Sequence, residues 1–204
     1  MPSVYDLKPA FQNLLRPLVR GLAQSGVTAN QVTVAAVVLS GIGGACIAVA
    51  PQASWPLLTL PAVLLARMAL NAIDGMLARE HGMQSRLGAV LNEMGDVVAD
   101  TMLYLPLALV PGFCPWLVVL MNILAVMSEM MGVVAVQIGA SRRYDGPMGK
   151  SDRAFWLSVA ALLRGLGVPP ILWLFVLQAA MCVLLVKTIT NRARGALAQR
   201  GHHP

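Results

Sequence analysis

The chain has 204 residues, 57% of them hydrophobic and 12% charged, with a net charge of +6 and a mean hydropathy of +0.70. Such a composition is far more apolar and far less charged than that of a water-soluble domain; it excludes an ordinary globular enzyme and points to a small integral membrane protein. Cys46, Cys114 and Cys182 stand singly in or beside apolar runs, with no CxxC spacing, which argues against a disulfide framework or a thiolate metal site and reads as three small hydrophobes.

The first 26 residues carry Pro9 and Pro17 and no smooth apolar run ahead of a small-residue cleavage site, so a cleaved signal is not expected. Phe11, Leu14, Leu15, Leu18 and Leu22 recur at helical spacing, with Lys8, Gln12, Arg16 and Arg20 opposite. This pattern predicts an amphipathic helix that lies in the membrane interface or covers one end of a bundle. Pro17 is expected to bend or split it.

Six apolar spans follow, over residues 31–51, 55–78, 88–110, 116–138, 153–168 and 170–190, each close to the roughly 20 residues that cross a hydrocarbon core. Pro51 with Ser54-Trp55-Pro56, Pro111-Gly112 with Cys114-Pro115, and Gly165 to Pro170 punctuate them. The expected fold is all-α: a juxtamembrane segment over 1–26, a six-helix membrane domain over 27–191 and a basic tail over 192–204. Of the 15 Lys and Arg, Arg67 lies inside a span, Arg164 falls on one side, and all the others, from Lys8 to Arg200, fall on the opposite side. The positive-inside rule then places both termini and the loops at 79–88 and 139–152 in the cytoplasm, at a bacterial-type inner membrane. Because the positive charge is tied to span ends, it favours anionic lipid and phosphorylated substrates over nucleic acid.

The second and third spans carry the chemistry. Between Asn71 and Asp100 the chain reads NAIDGMLAREHGMQSRLGAVLNEMGDVVAD, with Asp74, Glu80, Glu93, Asp96 and Asp100 in or beside membrane-grade sequence. Ionisable groups there are costly, and they face a cavity or one another. On helices Asn71, Asp74 and Ala78 share a face, and Asn92, Asp96 and Asp100 follow one another on a second. A short turn makes these helices antiparallel neighbours, so the oxygen-bearing faces can converge. Carboxylate and amide oxygens suit Mg²⁺ or Mn²⁺, Gly75 and Gly88 leave room for close backbone approach, and Arg79 is placed to meet a phosphate. A buried ion-pair network of Asp74, Arg79 and Asp96 without chemistry is the alternative. Glu129, among Met127, Ser128, Met130 and Met131 in the fourth span, either lines the cavity or hydrogen-bonds across helices.

Asp74-Gly75, Ala78-Arg79, Gly88 and Asp96, at these offsets, resemble the signature of the CDP-alcohol phosphotransferase (CDP-alcohol phosphatidyltransferase) family. That signature reads Asp-x2-Asp-Gly-x2-Ala-Arg, about eight residues, then Gly-x3-Asp-x3-Asp. Asn71 and Asn92 stand where the family has its first and third aspartates. GVTANQVT at 26–33 is similar to the family's approach to its first span, with Ala29 where Pro is usual; Arg142-Arg143 and GPMGKSDR at 146–153 resemble its basic cytoplasmic loop. The resemblance implies a homodimeric six-helix membrane enzyme. It would use two divalent metals to move a phosphatidyl group from CDP-diacylglycerol to a small polar alcohol, with release of CMP. It implies Asn71, Asp74, Asn92 and Asp96 as metal ligands, Asp96 also as general base, and Asp74, Gly75, Ala78, Arg79 and Gly88 as the CDP site. Arg142, Arg143, Lys150 and Arg153 would hold the acceptor, a phosphorylated one being favoured.

The two asparagines leave three outcomes open: weaker metal binding, a one-metal site, or a lipid- or nucleotide-binding member without catalysis. A shifted register would put Asp96 and Asp100 at the last two positions; unshifted, Asp100 is a deeper acid or the ion-pair partner of Arg67. The rival from another class is a small ion or proton-coupled transporter using Asp74, Asp96 and Glu129. It calls for discontinuous helices and an internal repeat, and no convincing repeat relates the two halves.

Overall fold

The computed structural model describes residues 8–199; Arg200 and the rest of the chain beyond lie outside the described residues. Seven α-helices make up the regular structure: α1 (Lys8–Gln24), α2 (Ala29–Val49), α3 (Trp55–Glu80), α4 (Arg86–Tyr104), α5 (Pro115–Gln137), α6 (Lys150–Gly165) and α7 (Trp173–Ala198). A 3-10 turn, Leu105–Leu109, continues α4. No strand occurs among the described residues.

Local chemistry sets the boundaries. Thr28 opens α2 with a reciprocal cap: its hydroxyl accepts from the Gln31 N–H (3.3 Å) while its own N–H donates to Gln31 Oε1 (2.9 Å). Ala29 is then the first helical residue, a position where proline and alanine are both tolerated. Ser85 caps α4 by accepting from the Gly88 N–H, and Asp152 accepts from the Gly149 N–H at the start of α6. Pro56 and Pro115 sit in the first turns of α3 and α5.

Three expectations are modified. α1 is one unsplit helix despite Pro17. The third span does not stay α-helical to residue 110: Pro106 brings no N–H, and the chain tightens into the 3-10 turn after Tyr104. The tail expected from residue 192 continues α7 through Ala198, with Arg192 buried in the bundle.

α2 packs on α3 and α4, α3 on α6, and α5 on α7. The main apolar core runs through Leu60 and Leu64 of α3, Leu103 of α4, Met121 of α5, Leu157 of α6 and Leu185 of α7. A smaller cluster, with Val19, Val32, Ile73 and Leu77, fastens α1 over the ends of α2 and α3. Outside, the pattern inverts. α2 exposes Val34, Val38 and Ile42, and α5 exposes Ile123, Met127 and Met130, while Asp100, Asn122, Ser128, Arg153 and Gln178 are buried. Apolar side chains outside and polar ones gathered inside are what a hydrocarbon solvent selects. α2, α3, α5 and α7 are long and apolar enough to cross a membrane; α4 carries Glu93, Asp96 and Asp100, and α6 has 16 residues. The chain is a multi-pass membrane protein.

α2 meets α4 closely at Gly44. A Cβ there would overlap the Met102 carbonyl oxygen, the acceptor that would otherwise bond an N–H at position 106, where Pro106 has none. Glycine lets a Cα–H lie against that carbonyl instead. Gly44→Ala should therefore lower stability by about 1–3 kcal/mol through overpacking. Gly21→Ala in α1, with no atom within 4 Å of the added methyl, should be neutral or stabilising by about 0.5–1 kcal/mol. Unfolding of the detergent-solubilised variants checks the contrast; equal midpoints would show that the α2–α4 contact tolerates a methyl.

Candidate active site

Where α2 and α4 begin and α3 ends, the helices diverge around a cavity of about 640 Å³. Its wall is Ala29, Asn30 and Thr33 of α2, Asp74, Gly75, Ala78 and Arg79 of α3, Met83, Gln84 and Ser85 of the connecting turn, and Arg86, Gly88, Ala89 and Asn92 of α4. Six residues singled out in the sequence, Asp74, Gly75, Ala78, Arg79, Gly88 and Asn92, thus meet in one place.

Asp74 is 4% exposed and accepts a 2.8 Å hydrogen bond at Oδ2 from the Thr33 hydroxyl, which ties α3 to α2. The two glycines have separate reasons. Gly75 leaves space for the Arg79 guanidinium, whose Nη2 lies 3.0 Å from where a Cβ would stand. Gly88 faces Asn30, whose Oδ1 lies 2.7 Å from its missing Cβ. Arg79 and Arg86 both line the cavity and make no ion pair among the described residues. Two guanidinium groups aimed at a polar cavity suit a diphosphate.

Asn71 and Asp96 lie next to this cavity rather than in its wall. Asn71 Nδ2 donates to Asp96 Oδ1 (3.1 Å), the Lys150 ammonium rests on the same oxygen, and Arg67 Nη2 lies 3.8 Å from it. The oxygen groups here that could hold a metal are the carboxylates of Asp74 and Asp96 and the amide oxygens of Asn71 and Asn92. This donor set holds oxygen only, which fits a hard cation such as Mg²⁺ or Mn²⁺ and not zinc. No three acidic, His or Cys side chains converge among the described residues, so the charge offered to such a cation is that of two carboxylates.

Behind Asp96 an ionic chain runs through the bundle. Asp100 takes Arg67 on one oxygen and Arg153 Nη2 on the other at 2.7 Å; Arg153 also reaches Glu129 at 3.3 Å. Glu129 is shared with Arg192 at 3.6 Å and Arg142 at 3.9 Å, and Arg142 also pairs with Glu93. Asp100 is thus the partner of Arg67, and Glu129 hydrogen-bonds across helices. Arg153 departs from its expected place in the acceptor loop: it projects from the first turn of α6 into the bundle, 1% exposed, because two carboxylates compensate its burial. Arg143 pairs with Asp145 at 2.6 Å in the 139–149 segment. Thr33, Asn30, Arg86 and Arg192 were not singled out from the sequence. Thr33 and Asn30 do lie in the GVTANQVT segment; nothing in the local sequence marks Arg192 apart from other basic residues near a span end.

Comparison with known proteins shows the family and the fold. The family model for CDP-alcohol phosphatidyltransferase matches residues 26–184. Inner membrane protein YnbA of Escherichia coli is 44% identical over 195 residues, 96% of each chain. Phosphatidylinositol phosphate synthase of Mycolicibacterium smegmatis is 29% identical over 208 residues, covering 99% of this chain and 89% of that one. Crystal structures of Mycobacterium tuberculosis phosphatidylinositol phosphate synthase share the fold. The form with CDP-DAG bound superposes with TM-score 0.76 at 22% identity, over 91% of this chain and 94% of that one. The complex with manganese and citrate gives 0.76 at 22%, over 91% and 90%.

The ionic chain generates a ranking of substitutions. Asp100→Asn takes the shared carboxylate from two buried guanidinium groups at once, leaving Arg153 with Glu129 and Arg67 with the more distant Asp96, and should cost about 3–5 kcal/mol. Arg153→Met leaves Asp100 paired with Arg67 and should cost less. Neither residue lines the cavity, so nucleotide affinity of the folded fraction should hold. Chemical denaturation with CMP titration checks both points, and a larger loss for Arg153→Met would reverse the assignment of Asp100 as the hub.

Proposed function

The chain belongs to the CDP-alcohol phosphatidyltransferase family, a family of transferases, and from that premise we propose that it transfers a phosphatidyl group from CDP-diacylglycerol to a small polar alcohol and releases CMP. The observation that carries the proposal is the cavity where Asp74, Gly75, Ala78, Arg79 and Gly88 meet, with the guanidinium groups of Arg79 and Arg86 at its wall and without an ion pair among the described residues. The cytidine end would enter between α2 and α4, where Gly88 leaves Asn30 room, and Arg79 and Arg86 would hold the diphosphate. Asp74 and Asn92 would hold the divalent cation, Mg²⁺ or Mn²⁺, with Asn71 and Asp96 beside it. When bound, that cation offsets diphosphate charge and stabilises the departing CMP. Asp96 Oδ1 is taken by Asn71 and Lys150; its Oδ2 is left to take the proton from the acceptor hydroxyl. Arg142, Arg143 and Lys150 would stand on the acceptor side, a positive charge that favours a phosphorylated alcohol.

In the membrane, α2 to α7 would be the six spans, with both termini cytoplasmic in an inner membrane, the location named for the YnbA relative. α1 would lie in the interface, since Leu14 and Leu18 are 75% and 53% exposed while Val19 faces the bundle. The three-part division, 1–26, 27–191 and 192–204, serves this reading with its last boundary moved beyond Ala198, and the functional unit would be a homodimer. A second reading, a member that binds nucleotide lipid with weak or no turnover, is favoured by Asn71 and Asn92. A transporter is disfavoured: α3 and α4 run unbroken through Asp74, Asp96 and Asp100, where discontinuous helices would be wanted.

CMP release from CDP-diacylglycerol by the purified protein, with Mn²⁺ and candidate alcohols, tests the proposal. Release that needs both metal and acceptor is the expected result; binding of CDP-diacylglycerol without release leaves the second reading standing. Asp96→Asn should reduce transfer by about 10²-fold or more while the protein stays folded, and near-normal turnover would move the base elsewhere. The paired change Asn71→Asp with Asn92→Asp should enlarge the rise in melting temperature on adding Mg²⁺ or Mn²⁺, because each restored carboxylate attracts the cation directly. Without metal the double variant should melt lower than the natural protein. A metal-dependent rise no larger than the natural one would show that positions 71 and 92 do not face the cation.

A further inference from the structure

The two carboxylates of the donor set have different surroundings. Asp74 takes a neutral hydroxyl from Thr33 and forms no ion pair among the described residues. Asp96, 29% exposed at its side chain, has the Lys150 ammonium on Oδ1, the Asn71 amide at 3.1 Å on the same oxygen, and Arg67 Nη2 at 3.8 Å. Lys150 is held there by the fold. It is the first residue of α6, behind the Gly149 and Asp152 cap, and three residues on Arg153 anchors that turn to Asp100 and Glu129. That turn sets the root of the Lys150 side chain, and its ammonium rests on Asp96.

Asn71 completes the arrangement. An aspartate at 71 would set a second anion against Asp96 across a gap of about 3 Å and would need a cation between them. The amide donates a hydrogen bond to Asp96 instead. Charge counting points the same way. Two carboxylates, Asp74 and Asp96, are balanced by one divalent cation, and Lys150 already adds a further positive charge for the diphosphate. A second divalent cation would have to enter against that excess in a partly dehydrated site, where repulsion is weakly screened.

We propose that Lys150 takes the place of a metal ion at Asp96, so that the site binds a single divalent cation on its Asp74 and Asn92 side. This rests on the phosphatidyl-transfer reading above and specifies how the charge of its site is supplied. Lys150 is then a positioning residue that holds Asp96 Oδ1 and leaves Oδ2 to the acceptor hydroxyl, whether or not the acceptor carries a phosphate.

The experiment is a Mn²⁺ titration of the full chain in detergent, with free Mn²⁺ followed by electron paramagnetic resonance and no lipid or alcohol present. The natural protein should saturate at one Mn²⁺ per chain. Lys150→Gln, a neutral residue that still suits the first turn of a helix, should take up a second Mn²⁺ under the same conditions, and Lys150→Arg should stay at one. Two Mn²⁺ in the natural protein, or none, overturns the proposal, as does a Lys150→Gln protein that remains at one. Circular dichroism confirms that the variants are folded, and the count for the natural protein decides the matter if Lys150→Gln is not. Because the readout is bound metal, it is independent of turnover. One Mn²⁺ without CMP release would sink the transfer reading alone, and CMP release with two would sink this one alone.

Discussion

Asp100, with Arg67 on one oxygen and Arg153 on the other, fixes the rest of the molecule. It joins α3, α4 and α6 at one point, deep in the bundle and one helical turn from Asp96. A bare carboxylate at that depth would cost several kcal/mol, and so would either guanidinium alone. Together they fix how far α3 can slide or turn against α4, because any displacement separates charges with no water to replace the partner. The separation of Asn71 from Asp96, and the convergence of Asp74 with Asn92, follow from that register. Apolar packing among Leu60, Leu64 and Leu103 supplies contact area but tolerates small shifts that an ion pair does not.

The helices were largely legible from hydropathy and punctuation: Pro56 and Pro115 mark beginnings that the structure keeps, and the spans expected to open at 31 and 88 open two residues earlier, where Thr28 and Ser85 cap them. The departures have local causes. Pro106 was visible in the sequence, but its effect depends on Gly44 of α2 lying beside the carbonyl it leaves free, a contact about 60 residues away along the chain. The offsets of Asp74, Gly75, Ala78, Arg79, Gly88 and Asn92 were enough to anticipate one shared cavity, since both helix periodicity and the short turn constrain them.

Partners were much harder to read than positions. Arg153 and Arg142 look alike in sequence, both basic and both near the 139–152 segment, yet one is buried between Asp100 and Glu129 and the other reaches Glu93 across the surface of α4. Charge pattern reports which side of a membrane a residue favours and says nothing about which acid it will meet. Lys150 gives the clearest case: its loop suggested an acceptor phosphate, and only the packing of α6 on α3, with the Lys150 ammonium on Asp96 of α4, reveals its neighbour. Asn71 likewise looked like a weakened ligand, while its amide hydrogen bond gives it a use that aspartate would not have.

The buried guanidinium of Arg153 also constrains how the protein is assembled during synthesis. In the six-span arrangement proposed above, α6 crosses the membrane with 16 residues and an Arg in its first turn, and a charge of that kind in a lone helix opposes entry into lipid by roughly 2.5–3.5 kcal/mol at the bilayer centre, less near the interface. Arg67 and Asp100 emerge earlier and can neutralise each other as the α3–α4 hairpin inserts. Asp100 then offers α6 its second oxygen, so the late helix gains a partner only if the early hairpin is already in place. Biogenesis should therefore be ordered, with the ion pair of the first half acting as the receptor for the second half of the chain.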